Sequence, residues 1–466
     1  MLSGRCQIAK RPFLVSVHQV QVFKLFSANY LRRIAKMILM HTPRSRVNTL
    51  KCRRVGLSIS IASVALFLCS FSAKGVVGTA NSMLTDDKPL NASARVQPID
   101  ALTRDGFEHF YNMQYDAAIH DFELALQAHP DDPFAVNHLL EAIFTRELYR
   151  EGALNAELYL GDKFFHSQRV PVDPNVQARI KELTERSLQL CARRLITNPN
   201  DVDALYARGV TRAIRAGYMA LVEKAWFAAL RSALGSYDDH EQVLHLSPDY
   251  TDAKLVVGLY SYAIGSLPWP ERAVTFLLPI TGNKSKGSED VAKAADGGGE
   301  TSVDAKIALA LILVREQHYS EAISLMHGLY GSYPHNFLFA MTEGDFFKTS
   351  GHLPEAIASY RELLRLGREG MFPGAQLGLV AYKLGEALRL EADYSGALEA
   401  YGSVSGYPRA ERELVSKAIL SAGEMSDLLG QRNSAVTKYQ EIIAAQDDSP
   451  EVKTARKLLK HPYRIQ

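Results

Sequence analysis

Residues 106–130, GFEHFYNMQYDAAIHDFELALQAHP, place Gly106, Tyr115, Ala118, Phe122, Ala125 and Pro130 at offsets of 0, 9, 12, 16, 19 and 24. That spacing leaves a chain few ways to fold. Read as two consecutive helices, it puts a small residue on each facing surface, so the backbones can approach closely while aromatic rings fill the groove between them. A proline then ends the second helix, because it has no N–H to donate and clashes with the preceding turn. The pattern returns further on. Ala322 precedes Pro334, Gly344 precedes Ala356 and Tyr360, Gly385 precedes Ala397 and Tyr401, and Gly423 precedes Ala435 and Tyr439. In these four segments an alanine is followed four residues later by Met or Tyr, and the alanines step by 34, 41 and 38 residues. The larger steps call for inserted loops, and 367–374, GREGMFPG, suits the longer one. Strand-type alternation is scarce, so an all-α chain is expected.

The spacing resembles the tetratricopeptide repeat, closely over 99–132 and 303–445 and in part over 133–280. The resemblance implies an α-solenoid of stacked antiparallel helix pairs, about eight to ten of them, each contacting only its neighbours. It divides the body into degenerate repeats over 99–302, regular repeats over 303–445 and a capping helix over 446–466. Within the degenerate part, helices are expected over 133–146, 150–166 and 175–196. A long segment, 218–246, is expected to kink at Gly235-Ser236. Residues 281–301, rich in glycine and alternating charge, read as a mobile loop holding one short helix over 289–295.

Residues 1–85 hold 13 Lys and Arg and no acid, which leaves 40 basic against 51 acidic residues in the remainder. An acidic body argues against nucleic acid as the partner, since neutralising phosphate takes clustered positive charge. The basic part is a leader. From 55 to 73 the chain reads VGLSISIASVALFLCSFSA, preceded by Lys51, Arg53 and Arg54 and followed by small residues. Residues 55–80 thus read as a secretory signal peptide or as a signal anchor retained through 55–73. Either way the body is expected beyond the cytoplasmic membrane, in the periplasm or envelope, and the chain looks like an exported bacterial repeat protein. Residues 1–54 are long for the basic end of a signal. Met37 or Met40 would be a more ordinary start, and an Arg-rich, acid-free leader is also the composition of an organellar transit peptide. Leu68 is too large for the position before Cys69 in a lipoprotein box. Residues 81–98, polar with two prolines, read as a flexible linker.

Signals for chemistry are weak. Asp239-His240-Glu241 with His245 suggests a zinc helix, but metal-binding histidines stand four apart on one face, and these stand five apart. Cys191 is the one cysteine of the body and reads as a buried structural thiol. The run GNKSKGS lacks phosphate-loop spacing and no strand precedes it. No catalytic set, metal or cofactor is therefore expected. In tetratricopeptide proteins ligands lie along the concave surface of the first helices, and the resemblance places Thr103, Phe107 and Met341 there. It adds Asp345 and Lys348 in one repeat, Tyr382, Glu386 and Arg389 in the next, and Leu420, Glu424 and Asp427 in the last. The lysine and asparagine set that clamps a C-terminal carboxylate is missing. The expected function is a non-catalytic protein-interaction scaffold that takes an extended or helical peptide of basic or neutral character. The alternatives are an envelope-assembly component packing through its convex face, and an enzyme with a site within 175–300.

Overall fold

A computed structural model describes residues 101–154, 170–267, 282–444 and 449–465. The leader, the signal or anchor and the linker fall outside the described residues, and so does almost all of the helix expected over 150–166.

Among the described residues there are seventeen α-helices and no strand. The first seven are α1 Ala101–Tyr111, α2 Tyr115–Ala128, α3 Pro133–Arg150, α4 Pro174–Thr197, α5 Val202–Tyr218, α6 Trp226–Leu246 and α7 Thr251–Gly265. Next come α8 Lys284–Asp296, α9 Ser302–Arg315, α10 Tyr319–Ser332, α11 Phe337–Ser350 and α12 Leu353–Arg368. The last are α13 Leu377–Leu390, α14 Tyr394–Ser403, α15 Arg412–Leu428, α16 Arg432–Ala444 and α17 Pro450–Lys460. Consecutive helices pack on one another throughout, which makes eight pairs closed by α17. Side chains start many of them. Asp132, Asp173, Asp201 and Asn283 each accept a backbone N–H of the first turn, satisfying a donor that the helix leaves orphaned.

Five pairs share one turn. Met113, Gln317, Gly351, Ala392 and Gly430 have φ between 61° and 86° in four of them and 65° at Ala392, the left-handed region that ends a helix sharply. After each, an N–H reaches back to the first helix, as in Gln114 N to His109 O at 2.9 Å and Asp393 N to Leu388 O at 2.9 Å. An L side chain in that region costs about 1–2 kcal/mol. Ala392→Gly is therefore expected to raise stability by about 0.5–1 kcal/mol in chemical unfolding, with no change in helix content.

The glycines expected to face an aromatic ring do so. A Cβ added at Gly106 would stand 2.5 Å from the Phe122 ring, and at Gly344, Gly385 and Gly423 it would stand 2.8, 2.6 and 2.5 Å from the rings of Tyr360, Tyr401 and Tyr439. Ala118, Ala322, Ala356, Ala397 and Ala435 are fully buried on the second helices, and Tyr115, Ala125 and Met326 lie in the core beside them. Pro130 is exposed just beyond α2, and Pro334 lies just beyond α10.

Two expectations are corrected. The segment 218–246 does not bend at Gly235-Ser236. There the helix continues, with Ser236 Oγ bonded to Gly209 O at 2.8 Å and Arg212 reaching Gly235 O at 3.0 Å. The break comes earlier, in a wide π turn over Met219–Glu223 that ends at Lys224 with φ 56°. Nor is 281–301 a mobile loop with a seven-residue helix. Helix α8 spans 13 residues and packs against α7 so closely that a Cβ on Gly287 would stand 2.3 Å from Tyr262 N. Gly282, Gly287 and Gly297 of this segment are contact points against α7, not points of freedom.

The stack also returns on itself. Asn336 Nδ2 donates to Tyr111 O at 2.8 Å, His335 N to Asn112 Oδ1 at 3.2 Å and the Tyr149 hydroxyl to Pro373 O at 2.9 Å. The first and second pairs thus close against the sixth and the loop after it. No helix among the described residues is long and apolar enough to cross a membrane.

Candidate functional site

The residues expected to meet a partner all lie on first helices of the pairs, α1, α11, α13 and α15. Of these eleven, Thr103, Met341, Asp345 and the Asp427 side chain are buried. Asp345 is 1% exposed, with Lys383 Nζ 3.0 Å from both carboxylate oxygens and the Tyr360 hydroxyl donating at 2.6 Å. The Asp427 side chain is fully buried and accepts from Arg432, from the Tyr439 hydroxyl at 2.9 Å and from Tyr463 N at 2.9 Å. Both acids serve the interior, because the repeat tyrosine that packs on each glycine carries its hydroxyl across to them.

The others remain at the surface. Glu386 and Arg389 are each about a third exposed and stand 3.7 Å apart, and Glu386 also accepts the Tyr401 hydroxyl at 3.0 Å. Tyr382 lies against the Tyr401 ring, its centroid 5.4 Å away, and Lys348 is half-buried on α11. Burial pushes the Glu424 carboxyl up to about 7 against the pull of Arg389, with Glu386 and Asp427 adding to the rise. Onto this face the chain lays its own end. Beyond α17, Tyr463 gives its N–H to Asp427, and its side chain lies near Glu424, Arg389 and Tyr394. The sequence reading did not include this tail. A short HPYRIQ segment after a basic cap offered only its composition as a signal.

A second concavity lies inside the first turn of the stack, with a volume of about 50 Å³. Its walls are Phe107 and Tyr111 of α1, Phe134, His138 and Glu141 of α3, Tyr206 of α5, Asp252 of α7, and Glu300 with Asp304 at the start of α9. His138, 7% exposed, has Nε2 3.0 Å from Glu300 Oε2, while Nδ1 has no partner. Burial opposes charge on this imidazole, but Glu300 outweighs it and raises its pKa. Asp304 accepts the Tyr111 hydroxyl at 3.2 Å, and Asp252 accepts Thr301 N and Oγ1 at 3.2 and 2.7 Å. Glu141 has the furthest displaced carboxyl of the group, pushed up to about 8 by burial and then by Asp304. Of this cavity only Phe107 was expected on the inner face. The missed signal was a pair of titratable residues, His138 and Glu141, three apart between short apolar runs of one helix.

The Glu141 shift has a testable sign. A carboxyl whose folded pKa lies above its unfolded value holds a proton in the native state that the unfolded state gives up, so stability falls as pH rises from about 4.5 to 8. Glu141→Gln removes that cost. In chemical unfolding its advantage over the native chain is expected to grow between pH 5 and pH 8, and a pH-independent difference would contradict the burial of this group.

The zinc-like segment is structural. Asp239 pairs with Arg208 at 2.6 Å and Arg212 at 2.7 Å, and His240 Nδ1 lies 2.7 Å from Ser236 O. Among the described residues no three His, Cys, Asp or Glu converge to hold a metal ion. Cys191 is fully buried and burial pushes its thiol up to about 11, far from a nucleophile's range.

The paired helices, their shared turns and their glycine–aromatic contacts define a tetratricopeptide-like α-solenoid. No protein-family model matches the chain, and no curated protein matches it. Solved structures do. A structure titled for the functional characterization of Pseudomonas aeruginosa pilF is 14% identical, with a TM-score of 0.35, over 56% of this chain and 99% of its own. The human IFIT1 dimer with m7Gppp-AAAA is 13% identical, with a TM-score of 0.38, over 78% of this chain and 81% of its own. Yeast Tom70 is 14% identical, with a TM-score of 0.32, over 77% and 94%. At such identities and scores the likeness carries no function across.

Proposed function

We propose that this chain is a non-catalytic scaffold, exported beyond the cytoplasmic membrane as its leader suggests, that takes extended peptides of other proteins on the inner face of its last repeats. One observation supports the groove above the others. The chain's own tail already lies there beyond α17, with Tyr463 N on Asp427 and the Tyr463 side chain near Glu424 and Arg389. A surface that orders one backbone donor and one tyrosine has the reach and polarity to order another chain's. Glu386 and Glu424 beside it favour a neutral or basic peptide.

The test uses a chain ending at Lys460 and a labelled HPYRIQ peptide. The shortened chain is expected to bind the peptide at least about tenfold more tightly than the full chain, in which the tail competes. Arg389→Ala and the double reversal Glu386→Lys, Glu424→Lys, made in the shortened chain, are expected to weaken it. Equal binding by all four proteins, or none, would sink the assignment.

A further inference from the structure

The inner cavity between α1, α3, α5, α7 and the start of α9 stands apart from the tail groove, and its chemistry is of another kind. It offers acceptors. Glu141 and Asp304 come from two different helices, and a third acidic side chain, Glu300, is engaged by His138. When the His138 Nε2–H donates to Glu300, the orphaned Nδ1 is a lone pair with no donor, in a side chain more than nine-tenths buried. Such an atom is normally satisfied, by protein, ligand or water. The remaining walls are the faces and edges of Phe107, Tyr111, Phe134 and Tyr206.

Acceptors converging within an aromatic enclosure are what an organic cation requires, charge for the carboxylates and ring faces for the stem. A metal ion is a poor fit, since the described residues form no metal-binding set. An anion would meet like charge on every side. We propose that the inner cavity binds a small free organic ammonium ion, held by Glu141 and Asp304 beside His138 and packed between Phe107 and Tyr206. Six helices contribute to the walls, and a volume of about 50 Å³ fits a small amine better than a peptide.

Binding is coupled to protons. Glu141 faces His138 on its own helix, Tyr111 from α1, and Glu300 and Asp304 from α9. His240, Tyr206 and Asp252 complete the titratable wall. Without a cation, carboxylates this close avoid repulsion by keeping the Glu141 proton. A bound ammonium supplies the compensating charge and expels it.

The experiment is calorimetry on the full chain with putrescine, in two buffers of different ionisation enthalpy. Binding is expected to release a proton at pH 7 and to tighten at least about tenfold between pH 6 and pH 8.5. Glu141→Gln is expected to weaken it at least about tenfold. Circular dichroism establishes that this variant is folded, and Asp304→Asn serves as the independent second variant. Glu182→Gln, exposed on α4 and outside the cavity lining, is expected to bind as the native chain does. Three results would overturn the proposal: no heat with putrescine at any pH, unchanged binding by both folded cavity variants, or binding of inorganic phosphate in its place. A lysine-bearing tripeptide forms the other arm. If it binds and putrescine does not, the free-amine assignment fails.

Discussion

Lys383→Ala is expected to destabilise the C-terminal pairs by about 3–5 kcal/mol, because it strands the Asp345 carboxylate in a place water does not reach. Both side chains are 1% exposed, and the ammonium stands 3.0 Å from each carboxylate oxygen. The Tyr360 hydroxyl remains as a donor, which partly offsets the loss. Removing both charges is a different experiment. Asp345→Leu with Lys383→Met is expected to recover most of the stability, since a buried pair repays its desolvation only partly. Urea unfolding measures the totals, and hydrogen exchange over α11 to α14 locates them. A loss under about 1 kcal/mol for Lys383→Ala would mean that the carboxylate finds water or another cation.

Gly287→Val is expected to be the most disruptive single change in the irregular middle. Its Cβ would stand 2.3 Å from Tyr262 N and 2.6 Å from Gly258 O, both backbone atoms that no rotamer change can move. Relief requires α8 to part from α7, at a cost near the upper end of overpacking effects, about 3 kcal/mol. Exchange protection should fall across α7, α8 and the first turn of α9. Because Glu300 and Asp304 follow α8 directly, amine binding in the inner cavity should fall with it. Gly328→Ala on α10 is the control, since a Cβ there meets nothing within 4 Å. It is expected to be neutral or to stabilise by up to about 1 kcal/mol. Comparable losses from both would show that glycine content, not helix contact, sets the stability.

The helix pairs were legible because each pair repeats one local pattern, and the pattern follows from how two helices touch. Gly385 and Tyr401 are 16 residues apart and meet across a single pair, so spacing alone reveals them. The acids were legible as positions but not as roles. Asp345 and Glu386 each follow a glycine directly, and each accepts the hydroxyl of the tyrosine 15 residues later. Repeat one has Phe107 in that place and Phe122 in place of the tyrosine, so acid and hydroxyl are absent together. That correlation was present in the sequence and marks acids that take the repeat tyrosine's hydroxyl, buried at Asp345 and partly exposed at Glu386. Helix α8 was misread because a glycine-rich, charged segment looks the same whether glycine gives freedom or permits contact. Only the partner helix decides, and it lies about 25 residues upstream. The inner cavity was hidden for a simpler reason, since no local pattern links Glu141 to Asp304.

The return of the stack on itself bears on how the chain is made. A solenoid whose units touch only their neighbours can fold as it emerges, one pair at a time. Here the bond from Asn336 to Tyr111 spans 225 residues and that from Tyr149 to Pro373 spans 224. At synthesis rates of about 5–20 residues per second, the first pair waits roughly 10–45 s for the surface that completes it. During that interval the faces of Tyr111 and Tyr149 are uncovered, and the most regular repeat in the chain is the first made and the last finished.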